Sequence, residues 1–313
     1  MGTNKFVSID WGTTNLRIRL VDRSNINIIE ELDQGYGIKE LHDLWKKSNQ
    51  DKETFYLDYL IGKFNQFKNE IDTSTPLVLS GMCSSSIGIR ALPYMSVPFK
   101  LNGSDLYKET FRRKGYEIIM ISGVKTKNDV MRGEEIELIG LSSYIEVKSN
   151  SVCIFPGTHS KHVFCKDGKV EDFKTFMTGE LFEVISKHTI LKESVTFSNP
   201  SKIKTMAFIE GVEASLKETA ISNALFNIRT RSLLQEKSSE ENYYYLSGLL
   251  IGEELKTLLT ADIDGIILCA GGSVANLYQK ALDTLNLLTK TTIVDKSDMH
   301  ESVIKGQLKM LDI

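Results

Sequence analysis

The sequence predicts an α/β protein built from two halves that open alike. Residues 5–32 read as strand, Gly-Thr turn, strand, tight turn, strand. Residues 152–176 repeat that order, with Pro156-Gly157-Thr158-His159 as the first turn and Asp167-Gly168 as the second. Two half-chains that open with the same meander suggest a duplicated architecture. The last third alternates strand and helix, which favours an α/β sheet there. The halves share little identity, so a chance likeness of hairpins is the plainer alternative.

The elements follow in order. Lys5–Asp10, Leu16–Asp22 and Ile26–Leu32 alternate or run apolar, as strands of a meander do. Thr54–Glu70 has Phe55, Leu57, Tyr59, Leu60, Phe64 and Phe67 at helical spacing. Pro76–Ser80, Tyr94–Phe99 and Glu117–Ile121 are short apolar strands. Asp129–Tyr144 reads as one helix, with Met131, Ile136, Leu138, Ile139 and Leu141 on its apolar face. A polar stretch, Glu146–Ser151, marks the boundary, giving domains 1–148 and 149–313. Val152–Phe155, Ser160–Cys165 and Lys169–Phe176 are the second meander. Thr178–Leu191, Ala207–Asn227 and Asn242–Thr260 are expected helices. A strand at Asp264–Cys269, a helix at Ser273–Leu285, a strand at Thr291–Val294 and a helix at Met299–Leu311 complete the chain. Gly248 and Gly252, four apart, place a groove on one helix face for close packing or for a ligand.

Composition limits the function classes. The chain has 313 residues, 41% hydrophobic and 25% charged, with a net charge of -3. No basic run with interleaved aromatics recommends nucleic acid or an anionic membrane. The opening lacks the charged-then-apolar pattern of a signal peptide, and no apolar run is long enough to span a bilayer. Cys83, Cys153, Cys165 and Cys269 show no metal-ligand spacing, so buried reduced thiols and a cytoplasmic location are expected.

Residues 7–17 are the most informative stretch. An apolar strand runs into Asp10, and a Gly12-Thr13-Thr14-Asn15 turn follows. Such a turn can aim backbone N–H groups and hydroxyls at an anion. A carboxylate beside a phosphate makes sense when a hard divalent cation lies between them, which suggests Mg-nucleotide binding. An ordinary hairpin with a polar turn would use the same letters. Gly157, Thr158, His159 and Lys161 form a second such turn, able to clamp phosphates from another side. Lys161 reads equally as a solvated strand residue. Gly271-Gly272-Ser273 follows a buried strand and precedes a helix, with Ser273 as a good N-cap, and could take a nucleotide ribose, adenine or α-phosphate. A plain β-α turn is the simpler reading. Asp129, Arg132, Glu134 and Glu135 open the junction helix. Acidic residues in a first turn often serve only the helix dipole. A carboxylate there could also accept a proton from a substrate hydroxyl, and Arg132 could bind a carboxylate or phosphate bidentately. His42, His162, His188 and His300 are isolated and read as structural or exposed.

Longer strings carry a family likeness. Asp10-Trp-Gly-Thr-Thr-Asn-Leu-Arg17, Val130-Met-Arg-Gly-Glu-Glu135, Pro156-Gly-Thr-His-Ser-Lys161, Asp172-Phe-Lys-Thr-Phe-Met-Thr-Gly-Glu-Leu181 and Leu246-Ser-Gly-Leu-Leu-Ile-Gly-Glu253 resemble the 2-dehydro-3-deoxygalactonokinases of the sugar kinase/Hsp70/actin superfamily. The resemblance implies two ribonuclease-H-like domains, an actin-like ATPase fold around a nucleotide cleft. It implies phosphorylation of 2-dehydro-3-deoxy-D-galactonate at its 6-hydroxyl, in galactonate breakdown, with ATP and Mg2+. Asp10 would organise the metal through water. Gly12, Thr13, Thr14, Asn15, Gly157, Thr158, Lys161, Gly271, Gly272 and Ser273 would hold the nucleotide. Asp129 at the helix start would be the base, or Glu134 if the helix begins later. Ser80–Gly88 and Tyr94–Pro98 resemble the family's acid-sugar side, with Arg17, Ser84 and Ser85 toward substrate. A kinase for a related 2-keto-3-deoxy sugar acid, an actin- or Hsp70-like ATPase and an inert sugar-binding regulator are the alternatives. Whether the chain works as a homodimer is left open.

Overall fold

The computed structural model describes residues 4–69, 71–197, 204–217 and 220–313. Internal contacts divide the chain into two units: Met1–Ser143 with Gly168–Asp172 and Ser297–Ile313, and Tyr144–Asp167 with Phe173–Lys296. The closing residues therefore group with the first unit rather than with the half of the chain they end.

In the first unit, β1 (Lys5–Trp11) pairs antiparallel with β2 (Leu16–Asp22), and β2 with β3 (Asn27–Leu32). On its other side β1 pairs parallel with β4 (Leu77–Gly81). Further along, β5 (Met95–Ser96) and β6 (Phe99–Lys100) flank a cis Val97–Pro98 bond, which splits the strand expected over 94–99. β7 (Lys108–Arg113), an unforeseen hairpin partner, pairs antiparallel with β8 (Tyr116–Ile121), which lies parallel to β4. The order β3-β2-β1-β4-β8, a meander followed by parallel strands, is that of a ribonuclease-H-like sheet.

Alternation sorts the two faces of this sheet. Val7, Ile9, Trp11, Leu16, Ile18, Leu20, Leu77 and Leu79 share a core with α1 (Ile38–Trp45) and α2 (Lys52–Phe64). The expected helix over 54–70 thus starts earlier and ends sooner, and Glu70 lies outside the described residues. Ser8, Asp10, Arg17, Arg19 and Ser80 take the other face, since Ser8 pairs with Arg19 and Asp10 with both Arg17 and Ser80.

The expected helix over 129–144 is corrected. Val130–Met131 form β10, paired antiparallel with β9 (Val124–Lys125), and only Glu134–Gly140 is helical, as α3. Gly133, at φ 121, turns the chain between them, a conformation that side chains resist. Met131 is buried like Ile136 and Ile139, so strand and helix together imitate one helical face.

The second unit repeats the order. β11 (Ser151–Phe155), buried throughout, pairs antiparallel with β12 (Ser160–Lys166), and β13 (Lys169–Phe176) follows the Asp167-Gly168 turn. The first residues of β13 pair with Lys100 and Phe99 of β6 within the first unit. Helices α4 (Thr178–His188), α5 (Thr205–Ser215), α6 (Ile221–Leu234) and α7 (Ser239–Leu255) come next. The single helix expected over 207–227 is thus two, with 218–219 outside the described residues. β14 (Gly265–Leu268) lies parallel to β11, α8 (Gly272–Thr284) follows it, and β15 (Thr291–Ile293) lies parallel to β14. Val152, Ile154, Ile266 and Leu268 pack with Phe208, Val212, Tyr244 and Leu282 from the helices. The last helix, α9 (Lys296–Asp312), belongs to the first unit for nearly all its length. Among the described residues no helix is long and apolar enough to cross a membrane. All four cysteines are buried thiols.

α7 is buried on almost every side, as a central helix must be when it is apolar all round. The Gly248/Gly252 groove serves packing. A Cβ on Gly248 would lie 2.0 Å from the Phe208 carbonyl oxygen, and one on Gly252 would lie 2.4 Å from Ser215 Oγ. Gly248→Ala is therefore expected to destabilise the protein by about 1–3 kcal/mol, the usual range for overpacking. Gly62→Ala, in α2 with open space around it, is expected to stabilise by about 0.5–1 kcal/mol. Urea unfolding midpoints of the two variants check both signs.

Candidate active site

Asp10 lies near the C-terminal end of β1, where the strand hands over to the Gly12–Asn15 turn. The Gly12 N–H donates to the Asn15 carbonyl at 2.9 Å and closes the turn. From below, Ile38 N–H donates to the Gly12 carbonyl and Lys39 N–H to that of Thr13, so the start of α1 fixes the turn's position. Thr13 and Thr14 are exposed, and among the described residues their N–H groups donate to no backbone carbonyl. The turn thus presents amides and hydroxyls outward, as an anion-binding loop does.

Charge is gathered beside it. Burial pushes the Asp10 carboxyl up from its ordinary range; Arg17 and Arg19 pull it down without cancelling that effect, and Glu134 adds to it. Arg17 Nη1 lies 3.6 Å from Asp10 Oδ2, and Arg17 Nε lies 3.3 Å from Asp33. Arg19 is buried against Glu31 at 2.9 Å and serves the sheet. Glu137 is pushed up to about 8, by burial first and then by the charges of Asp10 and Glu134. Asp10, Glu134 and Glu137 thus form one acidic neighbourhood facing Arg17 and Arg19. Among the described residues no cluster of His, Cys, Asp and Glu could hold a metal unaided. Asp10 fits Mg2+ as a single carboxylate, the remaining positions falling to water and phosphate oxygens, as that ion prefers.

The junction segment places its polar residues unlike the expectation. Asp129 lies in the turn before β10, not at a helix start. Thr126 Oγ1 accepts from its N–H at 2.9 Å, and its Oδ1 accepts from Val130 N–H at 2.8 Å. Glu134 is the first residue of α3. Arg132 reaches the Ser84 carbonyl at 2.5 Å and the Ser84 hydroxyl, and its guanidinium stacks 4.1 Å over the Tyr94 ring. Arg132, Ser84 and Tyr94 are thereby brought together, while the Ser85 hydroxyl turns to the Met82 carbonyl at 2.8 Å.

In the second unit, Gly157, Thr158 and His159 are exposed at the tip of the β11–β12 hairpin. Lys161 is buried, and its Nζ donates to the His159 carbonyl at 3.0 Å, so the solvated-residue reading is corrected. Gly179 packs so close that a Cβ there would lie 2.6 Å from the Gly157 carbonyl oxygen. Glu180 N–H donates to the Thr158 carbonyl at 3.0 Å, and its Oε2 lies 2.6 Å from His159 Nε2. Gly271 and Gly272 start α8, but the N-cap is Gly271; Ser273 lies inside the helix, which corrects its expected capping role. Gly272 has φ 63, the left-handed region that glycine favours, and a Cβ there would meet no atom within 4 Å.

The match to known proteins decides the family. The family described as 2-keto-3-deoxy-galactonokinase matches residues 10–306, from Asp10 through both hairpins and into α9. The chain belongs to this family. It is 31% identical over 289 residues to the 2-dehydro-3-deoxygalactonokinase of Escherichia coli (strain K12), covering 90% of this chain and 91% of that one. The crystal structure of a candidate 2-dehydro-3-deoxygalactonokinase from Sinorhizobium meliloti superposes with a TM-score of 0.82 at 27% identity, over 96% of each chain.

Several residues beside these turns, or bonded to the elements that carry them, were not singled out in the sequence reading. Glu137, one turn beyond Glu134, is an acid on a mostly buried helix. Glu180 follows the second hairpin by many residues and meets it only in space. Glu254 is buried in α7, where an acid among Leu and Ile was the available signal. His162, read as isolated, is buried and bonded to Glu254 at 2.9 Å.

Glu135 sets a pH dependence. Its Oε2 accepts from Gly133 N–H at 2.7 Å, its Oε1 is buried without a partner, and burial followed by the Glu134 charge pushes it up to about 8. The folded state therefore holds a proton that the unfolded chain releases near 4.5. Its contribution to stability is complete below that value and is lost as pH rises toward about 8. Unfolding free energy measured across this range is expected to fall with pH, and to fall less in Glu135→Gln.

Proposed function

We infer that this chain phosphorylates 2-dehydro-3-deoxy-D-galactonate with ATP at the sugar acid's terminal 6-hydroxyl. The observation that carries the reading is the family match across 10–306, which begins at the acid beside the first outward-facing turn. We assign phosphate binding to Thr13, Thr14 and the Gly12–Asn15 turn in the first unit and, taken by itself, to Gly157, Thr158 and Lys161 in the second. Gly271, Gly272 and Ser273 are assigned to the adenosine end of a nucleotide. Mg2+, when bound, neutralises charge developing on the phosphates, and Asp10 holds its water shell. Arg132, set by Ser84 and Tyr94, orients the substrate's carboxylate side, with Arg17 and Ser85 beside it. The activity is that of a bacterial sugar-acid kinase working in the cytoplasm.

Glu134 is the base in this reading. It opens α3, and its charge acts on Asp10. Asp129 already bonds its own turn, which supports a local structural role for it. In a loose phosphoryl-transfer transition state the proton leaves late, so the base mainly aims the hydroxyl in line.

Release of ADP in the presence of ATP, Mg2+ and a panel of 2-keto-3-deoxy sugar acids tests the function. Turnover that depends on the sugar acid is expected. Turnover without it would mean an ATPase, and none at all would mean a regulator. Asp10→Asn is expected to lower kcat by about two to three decades, as for other positioned charges. Glu134→Ala is expected to lose at least about two decades with ATP binding nearly intact, and Asp129→Ala less. The opposite ranking would return the role to Asp129.

A further inference from the structure

Glu254 stands at the centre of a buried polar network in the second unit. His162 Nε2 lies 2.9 Å from its Oε1. Thr178 Oγ1 and the Tyr278 hydroxyl, the latter at 2.9 Å, both donate to its Oε2. The Tyr278 oxygen is also 3.0 Å from Ser160 Oγ, and Ser160 Oγ accepts from Gly157 N–H at 3.3 Å. With the tyrosine proton committed to Glu254, Ser160 donates to Tyr278. His162 Nδ1 is buried with no partner among the described residues, which assigns the proton to Nε2. Glu254, His162, Ser160 and Tyr278 are almost completely buried.

The network joins four elements. Ser160 and His162 are on β12, Thr178 opens α4, Glu254 ends α7 and Tyr278 is on α8. Three of these elements touch the candidate nucleotide site: β12 carries the hairpin tip, α4 sets Gly179 and Glu180 against it, and α8 begins at Gly271-Gly272. A buried acid with no partner would be costly, and an acid met by three donors is held rigidly.

We propose that Glu254 is a positioning residue for nucleotide binding, acting through Tyr278 and Ser160 to hold the Gly157–Ser160 hairpin and the start of α8 in one fixed arrangement. This rests on reading that hairpin as the phosphate binder. Glu254 touches no substrate; it sets the orientation of groups that do.

The test uses the full chain, ATP and 2-dehydro-3-deoxygalactonate, with KM for each substrate, kcat and Tm recorded. Tyr278→Phe removes one hydroxyl and leaves the ring in the core. It is expected to raise KM for ATP by about tenfold, the equivalent of about 1.4 kcal/mol, while KM for the sugar acid stays within about twofold and Tm changes little. Ser160→Ala is expected to act in the same direction. Glu254→Gln, which keeps the size and part of the bonding, is expected to lose less than Glu254→Ala; if the alanine variant does not fold, the tyrosine and serine variants still decide. Thr158→Ala, at the exposed tip and outside the network, separates the two readings. Should it raise KM for ATP while Tyr278→Phe leaves both KM values unchanged, the positioning role is overturned and the phosphate hairpin stands. Should Thr158→Ala change nothing, the hairpin reading fails and the proposal with it. Equal rises in both KM values, or loss of activity in step with Tm, would make the network merely structural and overturn the proposal.

Discussion

The double-sided pairing of β1 is the constraint from which the first unit's site follows. An antiparallel neighbour on one edge and a parallel neighbour on the other leave the strand no freedom of register. A shift by one residue would send Asp10 into the core and Ile9 to the polar face. The turn after β1 is then fixed at both ends. Gly12 bonds back to Asn15, and Gly81, at the end of β4, lies so close that a Cβ would sit 2.7 Å from the Trp11 carbonyl oxygen. β11 stands in the same relation to β12 and β14 in the second unit. Each outward-facing turn is thus carried on a strand paired on both edges, and a rigid element is where a precise site is best built.

The two units hold their turns by different means. In the first, helix ends and backbone bonds do it, with Gln307 of α9 donating to the Ile9 carbonyl and to Ser80 Oγ on the polar face of the sheet. In the second, the Glu180 N–H bond to the Thr158 carbonyl and the close approach of Gly179 are joined by the side-chain network around buried Glu254. The first solution leaves the acids near Asp10 with raised proton affinity, since burial there is incompletely offset by arginine. The second places donors around the acid from several sides.

Much of this was legible in the sequence. Alternating or continuous apolar runs marked β1, β2 and β11, and the Gly-Thr turns stood out because strands on both sides made their ends plain. The junction was misread for a definite reason. Met131 and Leu138, seven apart, keep helical spacing across a strand, and nothing in the spacing reveals that Gly133 takes φ 121. That spacing set the expected helix start at Asp129, whereas α3 starts at Glu134. Ser273 looked like a cap by residue type, yet Gly271 took the position because the following Gly272 adopts a left-handed conformation. Glu254, His162 and Tyr278 were invisible as a group, since residues so far apart in sequence meet only after the helices pack.

The return of α9 to the first unit has a consequence for how the chain is made. A Cβ on Gly140 would lie 1.9 Å from the Ser302 carbonyl oxygen, and one on Gly306 would lie 2.0 Å from that of Ile136, so α3 and α9 meet backbone to backbone. The first unit's sheet leaves the ribosome before residues 173–296, but the helix whose Gln307 bonds Ser80 and the Ile9 carbonyl is synthesised after them. Domains usually mature in the order of their synthesis. Here the order is inverted: residues 173–296 are all synthesised before the first unit receives α9.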